Sequence, residues 1–133
     1  ELPENWTYPL IQPKLIEKYL RVKNNSIIGA TVTVTVDRPL VSYHPEYKDM
    51  YYPINYGYIE GVMAPDGEEQ DAYILGVNEP VGKFTGKIIA IVHRKDDVEE
   101  KWVVVPDGMM FSKDEIRQQI YFQEQYFDSE IVM

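Results

Sequence analysis

"GATVTVTVD", residues 29–37, decides the fold. Ala30, Val32, Val34 and Val36 alternate with Thr31, Thr33 and Thr35, so an extended segment here has one apolar and one polar face. The β-branched side chains suit a pleated surface, and the strict period of two describes a half-buried strand. Beyond Asp37 and Arg38 the pattern breaks. Residues 38–50, "RPLVSYHPEYKDM", hold two prolines and no regular period, which makes a long loop of the kind that is often functional in a compact domain.

Further along, "YYPINYGYIEGVM" (51–63) reads as short aromatic strand pieces around a Pro53 turn. "DAYILGV" (71–77), "GKIIAIVHR" (86–94) and "KWVVVP" (101–106) are three further strands, separated by turns rich in Gly, Pro or charge. "SKDEIRQQIYFQEQYF" (112–127) opens with Ser112 and Glu115 three apart, a capping box. Neither Gly nor Pro interrupts it, so a helix is expected to about residue 126. Upstream, "LIQPKLIEKYLRVK" (10–23) spaces Ile11, Leu15, Ile16, Tyr19 and Leu20 as a helix does. Pro13 fits its first turn, and "NNS" at 24–26 ends it.

The division expected is one domain: a helical extension over 1–26, a barrel over 27–111 and a C-terminal helix over 112–127. Five or six short strands without intervening helices argue for a barrel or sandwich over a parallel sheet. A small closed barrel with flanking helices, mainly β (α+β), is the expected fold.

The chain of 133 residues is 44% hydrophobic and 26% charged, which suits a single globular core. It has no cysteine, so disulfide and thiolate chemistry are excluded, and a reducing cytoplasm is the expected location. No apolar run approaches the roughly 18 residues of a membrane span, and no leader pattern is present. Twenty-two acids against 13 Lys and Arg give a net charge of −9. That balance opposes nucleic-acid binding, which needs clustered basic residues. An anionic substrate would have to arrive with metal cations.

Asp66, Glu68, Glu69 and Asp71 crowd into "DGEEQD", although neighbouring carboxylates disfavour each other's charge. One reading is a solvated acidic turn; the other is a hard cation held among the acids. In extended chain Asp66 and Glu68 share one face, and Asp71 joins them only if the turn reverses the chain. Asp71 opens an apolar strand, where a merely solubilising charge is less expected. A second acid group, "KDDVEEK" (95–101), lies between two apolar strands and by itself reads as a charged hairpin turn. Both groups border strand ends that can meet at one mouth of a barrel. There is no phosphate loop, no G-x-S-x-G elbow and no H-E-x-x-H. His44 and His93 are the only histidines, too few for a zinc site without cysteines.

"YYPINYGYIEG", "DGEEQD" and "KWVVVP", in that order and spacing, resemble the signature of the soluble family I inorganic pyrophosphatases. The likeness runs over roughly residues 30–130, from "VDR" at 36–38 to the end of the last helix. It implies a five-stranded OB-like barrel, Mg²⁺ (with Mn²⁺ as the alternative) and hydrolysis of a metal–pyrophosphate complex to two phosphates, in a homo-oligomer that meets neither membrane nor nucleic acid. Residue by residue, Asp66 and Asp71 match metal-binding aspartates, and Glu68 stands at an acidic general base or metal ligand. Asp96 or Asp97, with Glu99, match further metal carboxylates. Lys101 and Arg38 match phosphate-contacting cations, and Tyr52, Tyr56 and Tyr126 match active-site tyrosines. The implied mechanism has several Mg²⁺ ions acidifying a water, Glu68 taking or positioning its proton, and Arg38 with Lys101 neutralising phosphate charge.

The sequence also departs from that signature. Glu stands for Asp at 68 and 99, Glu69 replaces a proline, and the "TVTVTV" face lacks an early lysine and glutamate. Tyr126-Phe127 replaces a Tyr-Lys pair. These losses leave two alternatives: a weakened metal- and phosphate-binding module, or a hydrolase of another diphosphate compound. Glu68 and Lys101, both beside turns, are expected to be exposed. Phe127→Lys is expected to tighten pyrophosphate binding if the helix end lies at the site mouth.

Overall fold

The structure, a computed structural model, describes residues 27–95 and 99–133. The expected helix over 10–23 and the whole 1–26 extension lie outside the described residues, as do Asp96 and Asp97. The chain runs β1 (Thr31–Arg38), β2 (Ser42–Tyr43), β3 (Tyr51–Tyr52), β4 (Asn55–Met63), β5 (Glu69–Ile74), β6 (Lys83–Arg94), β7 (Glu100–Val105), α1 (Lys113–Glu124) and β8 (Ser129–Val132). The larger sheet has the order β1-β4-β5-β7-β6-β8, and β1 also pairs with β6. That extra pairing closes β1, β4, β5, β7 and β6 into a five-stranded OB-like barrel, with β8 outside on β6.

Closure depends on the length of β6. Its first part, Lys83 to Lys87, pairs with β1 from Thr35 back to Thr31. Its later part, Lys87 to His93, pairs with β7 from Val105 back to Glu100. One strand therefore serves two neighbours in succession. Two glycines let the walls approach. A Cβ on Gly57 would clash with the Thr35 carbonyl oxygen, and one on Gly86 with the Val105 carbonyl oxygen.

Which strands alternate follows from what covers them. Val34, Ile59, Ala72, Ile74, Ile88, Ile91, Trp102 and Val104 form one buried cluster drawn from all five barrel strands. A second cluster joins Tyr73, Leu75, Ala90, Val92, Val103 and Val105 to Ile116 and Ile120 of α1 and Ile131 of β8. β5, β6 and β7 are thus covered on both faces, so they read as continuous apolar runs. β1 has threonines Thr31 and Thr33 exposed and Val34 fully buried, which is why it alone alternates cleanly.

The capping box of α1 forms as expected: Glu115 N donates to Ser112 Oγ (3.1 Å) and Ser112 N to Glu115 Oε1 (2.9 Å). The helix ends at Glu124 and not at 127, and the residues after it return as β8, antiparallel to β6 with Arg94 opposite Ser129. A four-residue edge strand after a helix offered too short a run to be read from periodicity. The 38–50 loop is also more organised than expected, since Ser42 and Tyr43 pair with Tyr52 and Tyr51.

Candidate active site

β5 and β7 run parallel, and their register sets Asp71 opposite Lys101. The Lys101 ammonium donates to Asp71 Oδ2 (2.6 Å), Glu99 Oε1 (2.6 Å) and Tyr56 Oη (2.8 Å). Contrary to the expectation of an exposed turn residue, the Lys101 side chain is only 4% exposed, against 32% for Asp71 and 24% for Glu99. The reason is β7 itself, which begins at Glu100 and is buried along its length. Burial opposes the ammonium, but the Tyr56 oxygen and the Asp71 and Glu99 carboxylates outweigh it and hold the Lys101 pKa above the ordinary lysine value. Burial likewise raises Tyr56 well beyond an ordinary phenol, so it stays neutral and donates or accepts as a hydroxyl.

Glu99 is shared. Its other oxygen, Oε2, accepts from Arg94 Nη1 at 2.7 Å. Arg94, the last residue of β6, also donates from Nε (3.1 Å) and Nη2 (2.8 Å) to the two oxygens of Glu124. Tyr73 and Ser129 hydroxyls donate to Glu124 as well. Burial would raise the Glu124 carboxyl, yet the bonds from Arg94, Ser129 and Tyr73 hold it below the usual glutamate value. Arg94 lies in turn over the Phe127 ring, 3.6 Å from its centroid. A continuous polar chain therefore runs from β8 and α1, through Glu124, Arg94, Glu99 and Lys101, to Asp71 and Tyr56.

Arg94, Glu99, Lys101, Asp71 and Tyr56 of this polar chain open on a cleft of about 1050 Å³. Arg38, Tyr52, Tyr56, Asp71, Glu99, Lys101 and Tyr126 all line it. Tyr52 is buried, with its hydroxyl 3.4 Å from Gln123 Oε1; burial raises its phenol against the pull of Arg38. Tyr126 is 72% exposed, at the rim. Asp66 and Glu68 do not line the cleft. They form the exposed β4–β5 turn, where Glu68 N donates to Asp66 Oδ1 (2.9 Å) and Gly67 takes a φ of 87°. Among the described residues no group of three or more His or acidic side chains is gathered as a metal cage. Asp71 and Glu99 do converge: their oxygens share one ammonium, and hard carboxylate oxygens suit Mg²⁺.

Arg94 and Glu124 were not singled out from sequence, although a signal existed. Ile116, Ile120, Gln123 and Glu124 are the buried residues of α1, spaced as one inward-facing helical stripe. An acid on that stripe requires a cationic partner, and the sole charge ending the "KIIAIVHR" run beside His93 is Arg94.

The family model described as inorganic pyrophosphatase matches residues 20–124. The chain belongs to the inorganic pyrophosphatase family. An inorganic pyrophosphatase from Halalkalibacterium halodurans is 30% identical to this family member, over 72% of this chain and 61% of the relative. The chain thus spans about three-fifths of that relative's length. Crystal structures of inorganic pyrophosphatases share the fold. That from Ehrlichia chaffeensis has a TM-score of 0.60 at 19% identity, covering 77% of this chain and 85% of the other. That from Thermus thermophilus has 0.52 at 16%, covering 77% and 80%.

Proposed function

We propose that this chain hydrolyses inorganic diphosphate to two phosphates with Mg²⁺, Mn²⁺ being the alternative ion. The observation that carries the reading is the Asp71–Lys101–Glu99 bridge beside Tyr56 in the cleft, in a chain of this family. Asp71 and Glu99 would hold the metal, joined by Asp66, Glu68 and Asp96 or Asp97 from the two acidic turns. When bound, the ion supplies neutralisation of phosphate charge and acidification of water. Arg38 and Lys101 would place fixed positive charge beside the phosphates, and the burial of Lys101 makes its charge count for more than in water. Tyr52, Tyr56 and Tyr126 offer hydroxyls to phosphate oxygens, and Glu68, which stands outside the cleft here, would take or position the proton of the attacking water once its turn closes on the ion.

The lack of cysteine agrees with a cytoplasmic location, and a homo-oligomer belongs to the same reading, testable by light scattering. Phosphate release from pyrophosphate with Mg²⁺ or Mn²⁺, beside nucleotides and other diphosphates, tests the activity. A second reading, a weakly active metal- and phosphate-binding module, is favoured by Phe127 in place of a cation. Metal-dependent calorimetric binding of pyrophosphate without phosphate release would select it.

A further inference from the structure

A diphosphate carries several negative charges, and each cation that meets one makes a charge-assisted bond. Four basic side chains line the cleft: Arg38, Lys48, Arg94 and Lys101. Lys101 is engaged by Asp71 and Glu99, and Arg94 by Glu99 and Glu124. Arg38 Nη1 stands 3.4 Å from Asp37 Oδ2. Lys48 is different. Among the described residues its ammonium has neither an ion pair nor a hydrogen bond, and it is exposed.

The segment that presents Lys48 is built, with bonds of its own. β2 and β3 pair at its base. At its tip His44 N donates to Met50 O (2.9 Å) and Met50 N to Tyr47 O (2.8 Å). The His44 Nδ1 accepts from Glu46 N and Tyr47 N, at 3.0 and 3.1 Å, and the ring stacks with that of buried Tyr52, 6.4 Å away. Val41, at the entry, has a φ of 65°, a costly conformation for a β-branched residue. Its N–H bond to Tyr52 O (2.9 Å) holds it there. Such strain persists only where surrounding contacts over-determine it.

We infer that this hairpin tip is a substrate-engaging cap and that Lys48 is its phosphate-contacting cation. The inference rests on the diphosphate reading of the cleft. Because Lys48 is exposed, Lys48→Met should leave the melting temperature unchanged. It should raise KM for pyrophosphate about ten-fold, the scale of one charge-assisted contact, with kcat little altered. Lys48→Arg should restore KM. The difference between wild type and Lys48→Met should shrink as salt rises, since exposed charges are screened.

An unchanged KM at low salt in Lys48→Met overturns the inference. A wild type that does not turn over pyrophosphate sinks the activity, and the inference is then read from calorimetric binding of imidodiphosphate with Mg²⁺. Weaker binding by Lys48→Met supports it. Equal binding, or none by wild type, overturns it.

Discussion

The guanidinium of Arg94 lies over the Phe127 ring, its carbon 3.6 Å from the centroid. Position 127, where the resemblance expects a lysine, therefore has a buried cation beside it in the cleft already, and the aromatic ring is that cation's support. Phe127→Lys would set an ammonium against this guanidinium and remove a cation–π contact of about 0.5–2 kcal/mol. The sequence points to tighter pyrophosphate binding for this variant if the helix end lies at the site mouth, and Phe127 does line the cleft, 39% exposed; the Arg94 contact argues against the gain. Urea denaturation should show a loss of roughly 1–2 kcal/mol, and KM should not improve. A variant that binds more tightly at full stability would mean that Arg94 yields to the new charge.

Glu124 is the anchor of Arg94, and both are buried, with side-chain exposures of 6% and 4%. Removing one member of a buried pair costs about 3–5 kcal/mol when the other is left without a counter-charge. Arg94 keeps Glu99 at 2.7 Å, so Glu124→Ala should fall at the lower end of that range by denaturant titration. The double variant Arg94→Met/Glu124→Gln keeps an acceptor for Tyr73 and Ser129 and leaves no charge unpaired. It should recover most of the loss while lowering turnover, because Glu99 loses the bond from Arg94. A double variant as unstable as Glu124→Ala would contradict this account.

The same carboxylate gives a pH dependence. Its folded pKa lies below the ordinary glutamate value because the bonds from Arg94, Ser129 and Tyr73 outweigh burial. A depressed carboxylate stabilises the fold above its unfolded pKa of about 4.3, and that contribution is lost as pH falls through the folded value. Melting temperature should therefore drop below about pH 4.3, more steeply in wild type than in Glu124→Gln. Parallel curves for the two proteins would remove Glu124 from the explanation.

The barrel was legible because its strands are short and strongly patterned, and the reason for each pattern is visible in the packing. "TVTVTVD" alternates because one face is wet; "WVVV" does not because both faces of β7 are covered. In the site, Arg38, Tyr52, Tyr56, Asp71, Glu99 and Lys101 could be named by likeness to a family signature, and they do line one cleft. Periodicity gives no distance between strands, so it could not show that Lys101 is buried or that Asp66 and Glu68 sit on an outlying turn. Arg94 and Glu124 escaped because their partnership joins a strand to a helix 30 residues later. A local reading sees each only as an odd charge.

That difference between the two acid pairs makes a prediction about metal. In calorimetric titration with Mg²⁺, Asp71→Asn and Glu99→Gln should each bind less than wild type, since their oxygens already converge on one cation. Asp66→Asn and Glu68→Gln, on the exposed turn, should melt within about 0.5 kcal/mol of wild type. Any loss of metal binding in them would then show that the β4–β5 turn closes on the cleft when the ion is present. Equal binding by Asp71→Asn and wild type would return Asp71 to a role as counter-charge for Lys101.

Lys101 itself gives the sharpest test, because its ammonium stands where the carboxylates of Asp71 and Glu99 meet. Lys101→Met leaves two acids, a quarter to a third exposed, facing each other without the ammonium between them, and only Glu99 keeps a cation, Arg94. Solvent screens part of that repulsion, so the destabilisation should be roughly 1–3 kcal/mol, below the range for a fully buried pair. A divalent ion would then take over the missing charge. The melting temperature of Lys101→Met should rise more on adding Mg²⁺ than that of wild type, since binding to the folded state alone stabilises it in proportion to affinity. Turnover of pyrophosphate should nonetheless be lost, because the fixed charge beside the phosphates is gone. Were Mg²⁺ to raise both melting temperatures equally, the ion would have to bind away from Asp71 and Glu99, and the placement of metal at this bridge would be wrong.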